Sequence, residues 1–356
     1  MKGCNTLSGG YCFRFLACGE HIFRFVETII EILLLGGWIL LKEIKCSIFR
    51  GGTSKALFFD EALLPPEGTQ RDQVLIKLIG SPDPKQIDGL GGGTVVTSKA
   101  AIIKKSKFPG IDVDYTFAQV VVGKNTVDYR ANCGNISSAV GPYAIESGLV
   151  KAEDGITIVK IHNVNTGKDI YAKVETPGGK VTYKGDFSIS GVMGTGSKIE
   201  LQFLNPGGAA TGKLLPTGSA CDILNIPGLG KVKVSVVDSS NLFVFVDAES
   251  VGLIGNESPE LLDANDQARE YLEIIRGFVA QQLDYVDDYR KSFEKTPSVP
   301  KIAVVSKASA YTSTEGKRFN ENELDIHARM MSMKKTHKTL AMTGGMCLAA
   351  ATVIPG

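Results

Sequence analysis

The sequence has few of the residues that bind metals or form disulfides. It contains four histidines and seven cysteines. The cysteines are odd in number, widely scattered and without a Cys-x-x-Cys pair, and His21, three residues after Cys18, is the one histidine near any of them. This pattern argues against a zinc site and against a disulfide framework. We therefore predict a cytoplasmic protein with reduced thiols and without a metal or other cofactor.

The sequence also lacks an excess of charge of either sign. Its 39 Lys and Arg residues stand against 38 Asp and Glu residues, which gives a net charge of +1. It has no dense stripe of Lys and Arg interleaved with aromatic residues, the pattern typical of nucleic-acid-binding proteins. We therefore expect a small-molecule partner and no nucleic acid.

No apolar run near the N-terminus is long enough to span a membrane. Residues 29–41 are strongly apolar but contain Glu31, and they fall short of the roughly 20 residues that a spanning helix needs. They lie too far into the chain, without a basic leader or a small-residue cleavage site, for a signal peptide. We interpret residues 1–42 as an extension outside the functional fold, and a peripheral membrane anchor is the alternative.

Glycine, by contrast, is abundant. Many of the 40 glycines cluster, at residues 51–52, 89–93, 207–208 and 344–345. Such clusters let the backbone approach a ligand or another segment closely. Lysine, serine and threonine accompany the first two clusters, but the order Gly-Lys-Ser/Thr of a phosphate-binding loop does not occur there. Nucleotide binding is therefore disfavoured.

The hydrophobic patterns indicate an α+β fold in two lobes. Short β-branched or alternating runs, separated by Gly, Pro and Asn, dominate from residue 43 onward. Runs of strands with isolated helices favour α+β over a doubly wound parallel sheet. A glycine-rich stretch separates the lobes, which we place at residues 43–184 and 185–356. The helical patterns lie at residues 71–79, 136–148, 259–284, 325–331 and 343–351.

The most informative motif is Asn132-Cys133-Gly134-Asn135. It follows a β-prone stretch, residues 118–129, and opens into a helical run of small residues. Cys133 should therefore lie at the first turn of a helix, where free backbone N–H groups and the helix dipole stabilise a thiolate and attract carboxylates. The alternative is a buried, inert cysteine, but the flanking Asn and Gly residues suit a tight polar turn better than a core.

The second half of the chain repeats this pattern weakly. Residues 131–139 and 341–351 each lead from a β-rich stretch through a small turn into an alanine-rich helix. This similarity indicates an internal duplication. Two helix N-termini that face each other across a cleft would bind a substrate with carboxylates at both ends.

Lys99 is the second candidate for chemistry. It follows the glycine loop at residues 89–93, and a lysine desolvated beside such a loop can act as a base or an acid near neutral pH. A solvated surface lysine is the alternative. A cysteine hydrolase would need a histidine base near Cys133, for which His162, His327 and His337 are candidates without any flanking signature. We rank that interpretation below proton transfer.

Six motifs in order, from residue 43 to the end of the chain, resemble the PrpF family. The family includes 2-methylaconitate, methylitaconate and 4-oxalomesaconate isomerases. The resemblance implies a diaminopimelate-epimerase-like fold, in which two similar lobes each wrap a curled sheet around a central helix, with the active site between them. The motifs are Arg50-Gly51-Gly52-Thr53-Ser54-Lys55, residues 91–99 ending in Thr97-Ser98-Lys99, Asn132-Cys133-Gly134-Asn135, Leu215-Pro216-Thr217-Gly218 with Asp222, residues 236–246, and Met331-Ser332-Met333 with His337.

The resemblance also implies residue roles. Lys99 and Cys133 would form the acid/base pair of a cofactor-independent isomerase that moves an allylic proton in a small unsaturated di- or tricarboxylate. Met342 occupies the position of the second catalytic cysteine of the epimerases, which disfavours a two-cysteine racemase. The residues that would bind the substrate are Thr53, Ser54, Ser98, Asn132, Gly134, Asn135, Asn241, Gly344 and Gly345.

The chain departs from the family pattern in three places. Residues 1–42 have no family counterpart, Leu242 replaces a proline, and the family continues beyond residue 356 with strands that close the first sheet. A catalytically silent carboxylate-binding protein and an amino-acid racemase or epimerase therefore remain alternatives. A monomer and a homodimer are both compatible with the sequence.

Overall fold

The computed structural model describes residues 26–35, 38–313 and 316–356, with only the backbone for residues 26–43. Its first sheet has nine strands in the order β1-β2-β3-β4-β5-β7-β8-β9, with β6 paired to β5. Neighbours are antiparallel except for the pairs β3–β4 and β5–β7. The strands are β1 (Val26–Leu35), β2 (Trp38–Gly51), β3 (Ser54–Asp60), β4 (Lys99–Lys105), β5 (Val113–Val120), β6 (Val127–Asp128), β7 (Gly155–Asn163), β8 (Lys168–Thr176) and β9 (Glu200–Phe203).

A second sheet of six strands follows, in the order β10-β11-β12-β13-β16-β17. Its strands are β10 (Asp222–Ile226), β11 (Gly230–Ser239), β12 (Asn241–Asp247), β13 (Lys301–Lys307), β16 (Ile326–Ser332) and β17 (Lys335–Thr336), and a small hairpin joins β14 (Tyr311–Thr312) to β15 (Arg318–Phe319). The helices are α1 (Thr69–Ile79), α2 (Gly134–Glu146), α3 (Pro259–Ala264), α4 (Asp266–Gln282), α5 (Ser292–Lys295) and α6 (Met342–Thr352).

Each sheet packs on a helix made of small and apolar residues. Ile136 and Val140 of α2 lie in one core with Phe58 and Tyr115 of the first sheet. Cys347 of α6 is buried against the second sheet. Helix α2 is buried along most of its length, as expected for a helix that is apolar on most of its surface, whereas α6 buries one face and leaves Ala349 and Thr352 exposed. The expected α+β class and the diaminopimelate-epimerase-like pattern of two sheets, each with a central helix, are confirmed.

Helices α1 and α4 cover the opposite faces. Leu75 and Ile79 of α1 pack on the first sheet with Ile102, and Leu272 and Ile275 of α4 pack on the second sheet. Each sheet is therefore buried on both faces. This explains why β4 and β12 read as nearly continuous apolar runs rather than alternating ones.

The prediction of a helix at residues 325–331 is wrong. The segment forms β16, which pairs with β13 and β17 on its two sides. Pairing and burial in a sheet outweigh the weak helical preference of so short a segment. The long helix expected at residues 259–284 is interrupted at Asn265, because the Asn265 side chain accepts the N–H of Ala268 at 3.0 Å and begins a new helix, α4.

The N-terminal segment and the lobe boundary differ from the expectation. Strand β1 pairs antiparallel with β2 along its whole length, so residues 26–35 join the first sheet, where the exposed edge of β2 offers unpaired backbone groups. Residues 1–25 lie outside the described part of the chain. Strand β9 follows the expected boundary at residues 184/185 yet pairs with β8 of the first sheet. Within the described residues, no helix is both long and apolar enough to cross a membrane.

Gly51 lets the end of β2 lie against the first turn of α2. A methyl group at Gly51 would lie 2.3 Å from the carbonyl oxygen of Asn135 and 2.8 Å from Cα of Ile136, and neither backbone atom can move alone. We expect Gly51→Ala to lower the free energy of unfolding by about 1–3 kcal/mol, measured by chemical denaturation. Gly207→Ala is the control, because its nearest contact would be an ordinary 3.7 Å to Cβ of Leu214. Equal stability of the two variants would contradict this account.

Candidate active site

One cleft collects residues from both lobes. Lys99 begins β4 and Cys133 precedes α2 in the first lobe, whereas Lys301 begins β13 and Met342 begins α6 in the second. The cleft is lined by Val95, Lys99, Phe117, Gln119, Ala131, Asn132, Cys133, Gly134, Asn135, Ser298, Lys301, Ser332, Met333, His337, Ala341, Met342 and Thr343. Five of the eleven residues predicted to be catalytic or substrate-binding therefore meet there, namely Lys99, Asn132, Cys133, Gly134 and Asn135.

Cys133 is the N-cap residue of α2. Its backbone is extended, with φ −123° and ψ 95°, and its side chain makes no capping hydrogen bond. Both the N–H and the hydroxyl of Ser137 donate to the Cys133 carbonyl at 3.0 Å. The half-buried thiol thus stands at the end of the helix where the first N–H groups have no acceptor within the helix. The position expected from the sequence is the one observed.

The N-terminus of α6 lies close to that of α2. A methyl group at Gly134 would lie 3.0 Å from Cγ2 of Thr343 and 3.1 Å from Sδ of Met342, so glycine permits this approach. The Asn241 amide joins the two helix ends by donating to the Asn132 carbonyl at 2.9 Å and to the Thr343 hydroxyl at 3.2 Å. The cleft therefore receives the positive ends of two helix dipoles, an arrangement that favours anions.

Lys99 is held in place by Gln119 on the neighbouring strand. Its side chain is buried, at 6% exposure. The ammonium donates to Oε1 of Gln119 at 2.8 Å and lies 5.1 Å from the centre of the Phe117 ring. The other end of the Gln119 amide donates to the carbonyl of Ser98 at 2.8 Å. The Lys99 amine is thus oriented by its hydrogen bond to Gln119, and the Lys99 side chain is buried.

Thr53, Ser54 and Ser98 lie outside the cleft wall. The Thr53 hydroxyl accepts a hydrogen bond from the Asn135 amide at 2.8 Å and another from the Thr339 hydroxyl at 3.0 Å, so it connects the lobes. Ser54 is buried, and its hydroxyl makes no hydrogen bond to another described residue. Ser98 is fully buried and donates to the Thr94 carbonyl at 2.7 Å, which orders the glycine loop.

Gly344 and Gly345 are packed or hydrogen-bonded within the protein, and Asn241 connects the starts of α2 and α6. Gly344 is buried where a methyl group would lie 2.2 Å from Sδ of Met330. The Gly345 N–H donates to the Ala341 carbonyl at 2.8 Å and is therefore already satisfied within α6. Neither glycine lies in a turn as expected, because both belong to the first turns of α6.

Lys301 is the residue that sequence reasoning missed. Burial, and to a smaller extent the nearby Lys99 ammonium, lower the pKa of Lys301 to about 8, while Cys133 and Asp128 act in the opposite direction. A signal was present in the sequence, since Lys301 directly precedes the apolar strand residues Ile302–Val305, where a lysine is unusual. Its meeting with Lys99 and Cys133 depends on how the two lobes dock.

His337 also lines the cleft. Burial lowers the pKa of His337 to about 4, together with the smaller effects of the Lys99 and Lys301 ammonium groups and against the opposing effect of the Thr339 carbonyl. The imidazole is therefore neutral at pH 7. The other two candidate histidines lie elsewhere, with His162 paired to Asp169 at 2.8 Å and His327 bonded to Ser309. In the described part of the chain, no group of three or more His, Cys, Asp or Glu side chains could hold a metal ion.

Comparison with known proteins identifies the family. Residues 41–356 match the family described as PrpF protein. The chain is 43% identical over 315 residues to the 3-methylitaconate isomerase of Eubacterium barkeri, covering 88% of this chain and 83% of that protein. It is 40% identical over 311 residues to the (4E)-oxalomesaconate Delta-isomerase of Novosphingobium sp. strain KA1, covering 87% and 81%.

A solved structure agrees with these matches. The crystal structure of a methylitaconate-delta-isomerase superimposes with a TM-score of 0.71 at 43% sequence identity, over 87% of this chain and 80% of that one. The chain therefore belongs to the PrpF family and is an isomerase.

Proposed function

We propose that this isomerase moves an allylic proton in a small unsaturated di- or tricarboxylate, without a cofactor, with Lys99 and Cys133 as its acid/base pair. The observation that carries the proposal is the presence of both side chains in the wall of one cleft at the junction of the lobes. Two groups that can each hold a proton, beside two helix N-termini that attract carboxylates, suit proton transfer on an anionic substrate.

The reaction needs one proton removed and one returned. One member of the pair takes the proton from the allylic carbon, and the electron pair spreads over the double bond into the conjugated carboxylate. The other member then donates a proton at a different carbon, or at the same carbon after rotation about the bond. The dienolate-like negative charge is stabilised by the N–H groups at the starts of α2 and α6.

The start of helix α6 favours a double-bond isomerase over an amino-acid racemase. Met342 stands at the start of α6 and lines the cleft, and its thioether cannot carry a proton. The two proton carriers of the proposal, an amine and a thiol, both come from the first lobe, so they are chemically different and are not related by the internal duplication. Such an asymmetric pair suits transfer between different carbons of one molecule.

The names of the relatives suggest the acids to test. We expect the protein to act on an unsaturated acid of the methylitaconate, 2-methylaconitate or oxalomesaconate type. Proton NMR of each acid with the purified protein should reveal conversion of at least one of them to its double-bond isomer. Tight binding of these acids by calorimetry without conversion would instead support a silent carboxylate-binding protein. Exchange at the α-carbon of proline or another amino acid would support a racemase.

A further inference from the structure

We propose that Lys301 binds a carboxylate of the substrate from the second lobe, so that efficient turnover requires an acid with carboxylates facing both lobes. This inference rests on the proposed function, because it assigns one end of the same substrate. It adds a binding residue that neither the sequence motifs nor the names of the relatives indicate.

The first support is the position of Lys301. It begins β13 in the second sheet and lines the cleft together with Lys99 and Cys133. Strand β13 lies beside β12, with Lys301 next to Phe243 in parallel register. Among the described residues that line the cleft, Lys301 is therefore the lysine that the second lobe contributes, and Lys99 is the lysine from the first lobe.

The second support is the lack of a protein partner for this ammonium. Among the described residues, no carboxylate forms an ion pair with Lys301. Asp128 is the acidic group that acts on it, but Oδ2 of Asp128 accepts the Ser298 hydroxyl at 2.7 Å and Oδ1 accepts the N–H of Arg130 at 2.9 Å. A partly desolvated ammonium without a counterion is stabilised when an anionic ligand supplies one.

The third support is the rigid segment that carries Lys301. The guanidinium of Arg276, itself buried, donates to the carbonyl of Thr296 at 2.8 Å and to that of Pro300 at 3.3 Å. Glu273 balances its charge through a hydrogen bond of 2.9 Å to Nε. The backbone just before Lys301 is thus fixed to α4, so the Lys301 side chain extends from a fixed point at the cleft.

The charges around Lys301 favour a second negative group on the ligand. The groups that act on it are Lys99 and Arg276, which are cationic, Asp128, which is anionic, Cys133, and the neutral imidazole of His337. Arg276 is already neutralised by Glu273. The remaining cations, Lys99 and Lys301, exceed the single carboxylate by one charge, and the N-termini of α2 and α6 add partial positive charge. A ligand with two negative ends therefore complements the cleft better than one with a single negative end.

The test combines a protein change with a substrate change. Lys301→Met keeps the length of the side chain and removes its charge, and Lys307→Met on the exposed end of the same strand is the control. We expect Lys301→Met to raise KM for the preferred diacid by about 30- to 300-fold, with kcat within about threefold of wild type. Wild type should discriminate against the monoester of that acid by a similar factor, and Lys301→Met should lose this discrimination.

The outcomes separate this inference from the function on which it rests. Unchanged KM in Lys301→Met, or equal preference for diacid over monoester in both proteins, would overturn the role of Lys301 while leaving the isomerase intact. If wild type converts none of the acids, the role of Lys301 is still tested by calorimetry, which compares the binding of the diacid to wild type and to Lys301→Met. Lys301→Arg, which keeps the charge, should retain more affinity than Lys301→Met, and equal affinity of these two variants would also overturn it.

Discussion

Lys99→Ala is expected to lower kcat by about 10²–10⁴-fold, the usual contribution of a general acid or base. The amine is buried and oriented by Gln119, so water cannot take its place in the same geometry. The fold should persist, because the side chain makes one hydrogen bond and one ring contact. The measurement is the steady-state rate of isomerisation together with the thermal unfolding temperature.

Chemical rescue distinguishes a catalytic amine from a structural one. Added methylamine should restore part of the activity of Lys99→Ala, because a small amine can enter the space that the lysine vacates. Lys105→Ala, on the exposed end of β4, should keep wild-type activity. Near-normal turnover of Lys99→Ala, with no response to amine, would remove Lys99 from the acid/base pair.

Cys133→Ser is expected to lower kcat by a similar factor, about 10²–10⁴-fold, because a serine hydroxyl holds its proton far more strongly than a thiol. The change is nearly isosteric and leaves the backbone cap of α2 intact, since the thiol makes no capping hydrogen bond. Iodoacetamide should inactivate the wild-type protein, and a saturating carboxylate substrate should slow that inactivation.

Cys221 provides the matched control for this thiol. It is also free and partly buried, but it lies outside the cleft, beside β10. Cys221→Ala should keep wild-type turnover, and in that background alkylation should still abolish activity. Full turnover by Cys133→Ser, or inactivation that substrate fails to slow, would contradict a role for this thiol in proton transfer.

Local signals in the sequence were sufficient to predict where Cys133 lies in the fold and to single out Lys99 as a candidate. The motif around Cys133 combines a β-prone run, a polar turn and a helix of small residues, all within one short segment. The structure has the helix starting at Gly134 as this pattern requires. Lys99 was recognisable because it follows a glycine loop and begins a strand. The placement of both in one cleft agrees with what the family resemblance implied.

The other features of the fold and of the cleft could not be predicted from local patterns, because they depend on contacts between segments that are distant in the sequence. Ser98 precedes Lys99 directly, but it lies in the bend before β4, where its hydroxyl meets Thr94 and Gln86 rather than the cleft. Lys301 enters the cleft through the docking of the second lobe on the first. The strand at Ile326–Ser332 exists because β13 and β17 pair with it. None of these interactions is encoded in a local pattern.

In the proposed mechanism, Lys99 and Cys133 both move protons of the same bound acid. Its most direct test is the exchange of the substrate's allylic protons in deuterated water, followed by proton NMR for wild type, Lys99→Ala and Cys133→Ser. The account predicts that wild type incorporates deuterium at the carbon that receives the proton, and that neither variant does so at a measurable rate. Wild-type exchange in either variant, or conversion by wild type without any deuterium in the product, would contradict it.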